Sequence, residues 1–193
     1  MGGSMMNVIK LRKGQRNISI DCWGDFKMTS LEIIAPDLKS LPRELPRCQD
    51  LTYLNIVCPN LEKIEENTLW FPNLKVLKIT RSQLKDIPLS ATQCPSLENL
   101  NLQGNKIEEI KSSWADFYYL KELNLSSNCL KDLPLEFCRH ENLSRIILDN
   151  NQFEKIPVCL TRMKSLHHLS INSNPLKYEE KQIAFEIFGI EIK

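Results

Sequence analysis

Residues 97–119 read LENLNLQGNKIEEIKSSWADFYY, and the spacing of apolar residues in this stretch decides the fold. It begins with L-x-x-L-x-L at Leu97, Leu100 and Leu102, and two more aliphatic residues follow at Ile107 and Ile110. The same spacing recurs in seven copies at a constant 23-residue step, which begin at Met28, Leu51, Leu74, Leu97, Leu120, Leu143 and Leu166. Self-similarity of fixed period indicates a stack of identical structural units.

The second half of each copy has apolar columns of its own. The fifth column contains Leu38, Leu61, Leu84, Ile107, Leu130, Phe153 and Leu176. The sixth contains Leu41, Ile64, Ile87, Ile110, Leu133 and Ile156, and four of its residues precede Pro42, Pro88, Pro134 and Pro157. Because proline fixes φ and lacks a donor, these positions favour an extended or 3₁₀-like return segment over a long helix.

Over roughly residues 28–177, these columns resemble the leucine-rich repeat family, with its pattern LxxLxLxxNxLxxLPxxLxxLxx. The 23-residue form with proline is similar to repeats of intracellular Ras-group and polarity-scaffold proteins, and similar repeats occur in small bacterial proteins. The resemblance implies an α/β repeat solenoid. Its expected form is a right-handed horseshoe with a concave parallel β-sheet, an irregular or 3₁₀ convex side, and terminal caps.

Elementary physics supports the same fold. The residues of each L-x-L stretch alternate in direction, so Leu54 and Ile56 point to one face while Tyr53, Asn55 and Val57 point to the other. One repeat cannot bury its apolar face alone, and stacking of the next repeat completes the core. The return segment is wider than a strand, so we expect the sheet to bend and to lie on the inner side.

The sequence divides into four parts. Residues 1–4 resemble a cloning remnant, and residues 5–27 are expected to form an N-terminal cap like a β-hairpin, with arms at Val8–Leu11 and Ile18–Cys22. Residues 28–177 form the seven repeats. Residues 178–193 are expected to form a C-terminal cap helix and tail, because Ile183, Ala184, Ile187 and Phe188 recur at helical spacing before Gly189.

A column of asparagines follows the strands of the later repeats, at Asn105, Asn128, Asn151 and Asn174. We interpret it as a structural ladder, because stacked amides can satisfy the backbone groups of a turn inside the core. The first three copies carry Pro36, Pro59 and Ser82 instead. The sequence therefore predicts a looser or more irregular N-terminal end.

The composition narrows the range of functions that this protein can have. The 193 residues include 25 basic and 24 acidic side chains, a balance that disfavours nucleic-acid binding. No apolar run has the length of a membrane helix, and no glycine motif indicates a nucleotide or other cofactor. Seven cysteines that do not cluster at the chain ends indicate reduced thiols, hence a cytoplasmic protein. We expect a monomer.

Two groups of residues could carry chemistry. Cys138, His140 and Cys159 are of zinc-ligand type, which leaves a zinc-dependent assembly or enzyme as an alternative. No CxxC or HExxH spacing supports it, and His140 occupies an apolar column. Asp149 and His168 are both expected in the concavity, but no cysteine joins them as a nucleophile. We therefore expect no metal and no enzyme.

The remaining candidates are concave side chains that the core does not need. These concave side chains indicate a scaffold or adaptor that binds a protein or peptide partner, because aromatic and arginine residues are frequent interface anchors. A small bacterial protein that binds host proteins is the alternative. The candidate binding residues are Ile34, Tyr53, Asn55, Val57, Val76, Lys78, Arg81, Asn101, Glu122, Asn124, Arg145, Ile147, Asp149 and His168. Ile34, Tyr53, Val57 and Val76 are expected to form a contiguous apolar patch.

Overall fold

A computed structural model describes residues 7–15, 17–18 and 26–192. In this part of the chain, eight short strands form one parallel sheet in sequence order. The strands are β1 Asn7–Lys10, β2 Ser30–Ile34, β3 Tyr53–Val57, β4 Val76–Thr80, β5 Asn99–Asn101, β6 Glu122–Asn124, β7 Arg145–Ile147 and β8 His168–Ser170. The sheet is curved and does not close, so the predicted solenoid is confirmed.

The constant 23-residue spacing places equivalent leucines side by side in neighbouring strands. Leu54 pairs with Leu77, Leu77 with Leu100, and Leu100 with Leu123 in consecutive strand pairs. All four side chains are buried. The apolar columns of the return segments meet them from the other side, so a single continuous core runs along the stack.

The expected irregularity at the N-terminal end is wrong for the sheet. Strands β2, β3 and β4 each have five residues, whereas β5 to β8 have three. The longer strands belong to the repeats that lack the asparagine.

Short helical turns form the return segments on the outer side. Among the described residues, the 3₁₀ helices are Leu45–Arg47, Ser112–Asp116 and Leu135–Arg139, and an α-helical turn, α1, spans Val158–Thr161. Pro134 and Pro157, both with extended ψ, directly precede the last two. In these two repeats the proline lies directly before the outer turn, where its fixed φ and missing donor cause no loss of a helical hydrogen bond.

The N-terminal segment adds a rung to the sheet. β1 pairs with β2 in parallel, and Ile9 lies opposite Ile33 in that pairing. Ile9 and Leu11 are buried against the first repeat, and β1 is the N-terminal edge strand of the sheet. The second arm of the predicted hairpin lies outside the described residues except for Ile18, and residues 1–4 lie outside them entirely.

A helix covers the C-terminal end of the stack. Helix α2 spans Tyr178–Phe188 and ends at Gly189, whose φ of 64° is the left-handed conformation that glycine adopts readily. Ala184 is buried, but Ile187 is 50% exposed, so the helix covers the stack with a narrower face than its sequence predicts. Within the described ranges, no helix has the length and apolarity needed to cross a membrane.

Candidate protein-binding surface

The predicted binding residues lie on the face of the sheet opposite the core. Twelve of the fourteen are strand residues of β2 to β8, and Arg81 and Asp149 lie in the turns after β4 and β7. All are partly or fully exposed, because each strand alternates buried and exposed positions. The strand register arranges the concave side chains in three rows, which we name first, middle and third by their order along each strand.

The apolar candidates do not form the contiguous patch that the sequence predicts. Tyr53 and Val76 are paired neighbours in the first row, whereas Ile34 and Val57 are paired neighbours in the third row. Four residues along a strand separate these rows by about 13 Å. The sheet therefore presents two apolar pairs, one at each edge of the concave face.

A polar row runs between the two apolar pairs. Asn55 donates from Nδ2 to Glu32 Oε1 at 2.5 Å. The Lys78 ammonium lies 5.5 Å from the centre of the Tyr53 ring, within the range of a cation–π contact. The contact with Tyr53 thus draws the Lys78 ammonium toward the first row, where a positive charge and an aromatic side chain lie next to each other.

The C-terminal half of the face contains a shallow depression of about 180 Å³. Asn99 donates from Nδ2 to Glu122 Oε2 at 2.7 Å in one wall. Arg145 and Ile147 of β7 stand on the opposite side from Lys78, and the other lining residues are Asn99, Asn101, Glu122, Leu123 and Asn124. The structure therefore brings six of the predicted residues to one place.

Asp149 and His168 do not form a pair. The Asp149 carboxylate accepts hydrogen bonds from Ser170 Oγ, at 2.7 and 2.9 Å to its two oxygens, and from the backbone N–H of Asn172 at 2.7 Å. Asp149 lies in the turn after β7, whereas His168 is the first residue of β8 and is exposed. The Asp149 carboxylate thus serves the turn after β8, and no hydrogen bond joins it to His168.

The asparagine column repeats one set of contacts at the turns after β5 to β8. Asn128 Nδ2 donates to the carbonyls of Leu102 and Leu125, both at 3.0 Å, and its Oδ1 accepts from the Ile107 amide at 3.0 Å. The equivalent bonds recur at the other three positions, Asn105, Asn151 and Asn174. Each side chain thus links its own repeat to the preceding one.

The described cysteines are free thiols, and most are buried. Burial raises the pKa of Cys48, Cys58 and Cys94 to about 11 and that of Cys159 to about 12. Such thiols stay protonated near neutral pH and pack as small apolar groups. They are therefore poor nucleophiles and poor metal ligands.

The zinc alternative has no geometric support in the described residues. No group of three His, Cys, Asp or Glu side chains in those ranges is arranged to hold a metal ion. His140 packs edge to face on Phe137, with ring centres 5.2 Å apart, and its Nε2 is buried without a hydrogen-bond partner. Desolvation by burial lowers the pKa of His140, so the side chain is a neutral core residue.

Two surface features were not anticipated from the sequence. Tyr118 and Tyr119 are 62% and 54% exposed and form an edge-to-face pair on the segment that leads into β6. A larger open groove of about 670 Å³ follows the return segments, lined by Lys85, Asp86, Glu108, Glu109, Cys129, Lys131 and Gln152. A tyrosine pair outside every apolar column is the signal that could have identified the first feature.

Comparison with known families agrees with this geometry. The leucine rich repeat model matches residues 49–107 and 95–153, which together make up just over half of the chain. The chain belongs to the leucine-rich repeat family. Comparison with curated proteins found no match.

Solved leucine-rich repeat structures resemble the fold over most of this chain. Toll in the Drosophila Toll–Spatzle complex is 17% identical, with a TM-score of 0.75 over 87% of this chain and 23% of Toll. A Listeria monocytogenes internalin is 16% identical, with a TM-score of 0.65 over 89% of this chain and 62% of the internalin.

A Leptospira interrogans leucine-rich repeat protein is 25% identical, with a TM-score of 0.55 over 87% of this chain and 56% of that protein. This chain therefore spans less than two thirds of each of these three structures. At such identities the likeness establishes a shared fold.

Proposed function

We propose that this protein is a non-catalytic interaction module that binds a protein or peptide partner on its concave face. One observation carries the proposal: the first and middle rows hold large side chains that the core does not use. Tyr53, Val76, Arg145 and Ile147 are partly exposed on a sheet whose opposite face is fully buried. A preordered surface of this kind loses little conformational entropy when it binds.

The family and the chemistry of the site support this proposal. Toll, one of the structural neighbours, was solved as a complex with the protein Spatzle. The concave candidates include no assembled nucleophile, base and orienting group, which supports a role without catalysis or cofactor. The free buried thiols support a reducing, cytoplasmic environment, and we propose that the chain works there as a monomeric scaffold or adaptor.

The test is affinity capture with a concave variant, read against a matched outer-face variant. The concave variant carries Tyr53→Ala, Val76→Ala and Arg81→Ala. The control variant carries Tyr118→Ala, Leu135→Ala and Arg139→Ala, which removes similar side chains from exposed positions outside the concave face. Circular dichroism establishes that both variants are folded.

The proposal expects the concave variant to lose the captured partner and the control variant to retain it. Hydrogen exchange of the complex should then show protection of β3 and β4. Retention by the concave variant, or loss only in the control, would overturn the proposal. Loss only in the control would assign binding to the outer surface around the Tyr118–Tyr119 pair.

A further inference from the structure

The depression between β4 and β7 is rich in free hydrogen-bond donors. Gln103 donates its backbone N–H to Asn101 Oδ1 at 3.0 Å. Ser126 donates its backbone N–H to Asn124 Oδ1 at 2.9 Å. A backbone N–H can only donate, so both amide oxygens face the backbone and their orientation is fixed. Each NH₂ group is left without a protein acceptor among the described residues.

Two cations flank these amides. Lys78 and Arg145 line opposite sides of the depression. The described part of the chain contains five ion pairs, and none of them involves Lys78 or Arg145. Neither cation is therefore tied up in an ion pair with a described carboxylate, although the Lys78 ammonium lies 5.5 Å from the centre of the Tyr53 ring.

The one acid in the depression is already occupied. Glu122 accepts from Asn99 Nδ2 at 2.7 Å, so its carboxylate is held within the wall by a neighbouring strand. Two cations and one anion leave the depression with one net positive charge. The depression thus offers four donor groups, namely the two cations and the two NH₂ groups, and one net positive charge. This combination suits a hydrogen-bond acceptor with a single negative charge.

We propose, resting on the proposed function, that this depression binds the carboxylate of a glutamate or aspartate in an extended acidic segment of the protein partner. The carboxylate lies between Lys78 and Arg145 and accepts from the NH₂ groups of Asn101 and Asn124. Ile147 provides an apolar wall for the methylene groups. The guanidinium of Arg145 can donate two parallel hydrogen bonds to a carboxylate.

Size and charge favour this ligand over others. The depression of about 180 Å³ is open, whereas sites that enclose a small molecule are usually about 300 Å³ or larger. A side chain carried by a bound peptide needs only one such niche. A phosphate dianion would exceed the single net positive charge, and Glu122 would repel it.

The experiment titrates the purified, isotope-labelled full chain with a hexaglutamate peptide at low salt and follows the side-chain NH₂ signals of Asn101 and Asn124 by NMR. Both signals should shift with hexaglutamate and stay unchanged with hexaglutamine, which has the same shape without charge. Inorganic phosphate serves as the second comparison and should shift neither signal at matched concentration. Raising the salt concentration should weaken the effect, since the charges are partly exposed.

Three variants separate this site from general attraction to lysines. Lys78→Gln with Arg145→Gln should weaken hexaglutamate binding about tenfold or more, because charge-assisted hydrogen bonds are lost. The matched variant Lys85→Gln with Lys131→Gln removes the same charge from the outer groove and should bind as the unmodified protein does. Glu122→Gln should bind several-fold more tightly, because it removes the repelling charge and keeps the shape.

Several results would overturn the inference. In the NMR titration, these results are unshifted side-chain signals of Asn101 and Asn124, equal binding of hexaglutamine, or binding of phosphate alone. Among the variants, they are an unchanged affinity for hexaglutamate after Lys78→Gln with Arg145→Gln, or an equal loss of affinity after Lys85→Gln with Lys131→Gln. None of these results bears on capture of the partner by Tyr53 and Val76. If the concave variant loses the partner while hexaglutamate fails to bind, the acidic-ligand inference is wrong and the proposed function stands.

Discussion

Asn128 bonds three buried backbone groups, and one of them, the Ile107 N–H, has Asn128 as its acceptor. Its amide donates to the carbonyls of Leu102 and Leu125 and accepts from the Ile107 N–H, all inside the core. In Asn128→Ala, the Leu102 and Leu125 carbonyls keep the amides of Asn105 and Asn151 as donors, whereas the buried Ile107 N–H loses its acceptor. The loss of a partner by one buried backbone group costs about 1–3 kcal/mol, so we expect the free energy of unfolding to fall by about that amount in urea denaturation.

The matched control for this prediction is Asn73→Ala. Asn73 is exposed and donates a single hydrogen bond to the Gln49 carbonyl at 3.2 Å. Water replaces that bond when the side chain is removed, so we expect a change below about 0.5 kcal/mol. Equal costs for the two substitutions would contradict the ladder.

His140 should make stability dependent on pH. Burial lowers its pKa in the folded state, and a hydrogen bond to the Trp114 backbone and the charge of Asp116 oppose that shift only in part. Below about pH 6.5 the unfolded chain therefore binds more protons than the folded chain, and the free energy of unfolding decreases as the pH falls. Above that pH the histidine is neutral in both states and contributes no slope.

The measurement compares urea denaturation of the unmodified protein and His140→Met between pH 7.5 and 5.5. Methionine already occupies the same column at Met163, which is buried. We expect the variant to lose less stability than the unmodified protein as the pH falls, and His167→Gln, at an exposed position, to behave as the unmodified protein does. Parallel pH profiles for His140→Met and the unmodified protein would refute the assignment.

At the scale of the element, the asparagines of the later repeats tie the turn after a strand to the end of the preceding strand. Asn105 Nδ2 donates to the Ile79 carbonyl of β4 at 2.8 Å, while the Gln103 N–H is taken by Asn101 Oδ1. The turn after β5 is thus held by side-chain amides. Strands β5 to β8 have three residues, and β2 to β4 run two residues further.

Helix α2 covers the last repeat through a polar contact as well as through Ala184. Ile156 donates its backbone N–H to Glu180 Oε2 at 2.8 Å. Glu180→Ala removes the acceptor from a backbone group of a nearly buried residue, so we expect a loss of about 1–2 kcal/mol. Glu180→Gln keeps an acceptor oxygen and should retain most of the stability, as should Glu179→Ala at an exposed position.

Hydrogen exchange of the Ile156 amide provides the direct readout. We expect faster exchange in Glu180→Ala than in Glu180→Gln. If both substitutions destabilise equally, the helix acts only through its apolar contacts.

The sequence predicted the elements that the repeat imposes and missed what depends on orientation. Periodicity located the buried rungs and the outer turns, since a 23-residue step leaves one way to stack them. The two apolar arms around Gly14 predict a hairpin, whereas the parallel pairing of β1 with β2 could not be predicted, because the cap lacks the repeat pattern. The free NH₂ groups of Asn101 and Asn124 could not be predicted, because they depend on which backbone N–H each amide oxygen accepts.

For the whole molecule, stacking means that each repeat depends on its two neighbours. Leu100 lies in the centre of the sheet between Leu77 and Leu123 and is fully buried. Leu100→Ala removes core contacts and should lower the free energy of unfolding by about 2–5 kcal/mol. The conservative Leu100→Met keeps most of the volume and should cost less than about 1.5 kcal/mol.

Coupling between repeats is tested by where the damage from Leu100→Ala spreads. If stability is shared among neighbours, hydrogen exchange should accelerate in β4 and β6 as well as in β5, because both lose an interface with the damaged repeat. The concave donors of β4 to β7 would then loosen together, and hexaglutamate affinity should fall although no binding residue is changed. Acceleration confined to β5, with unchanged affinity, would show that the repeats fold as independent units and that the surface does not rely on the rigidity of the stack.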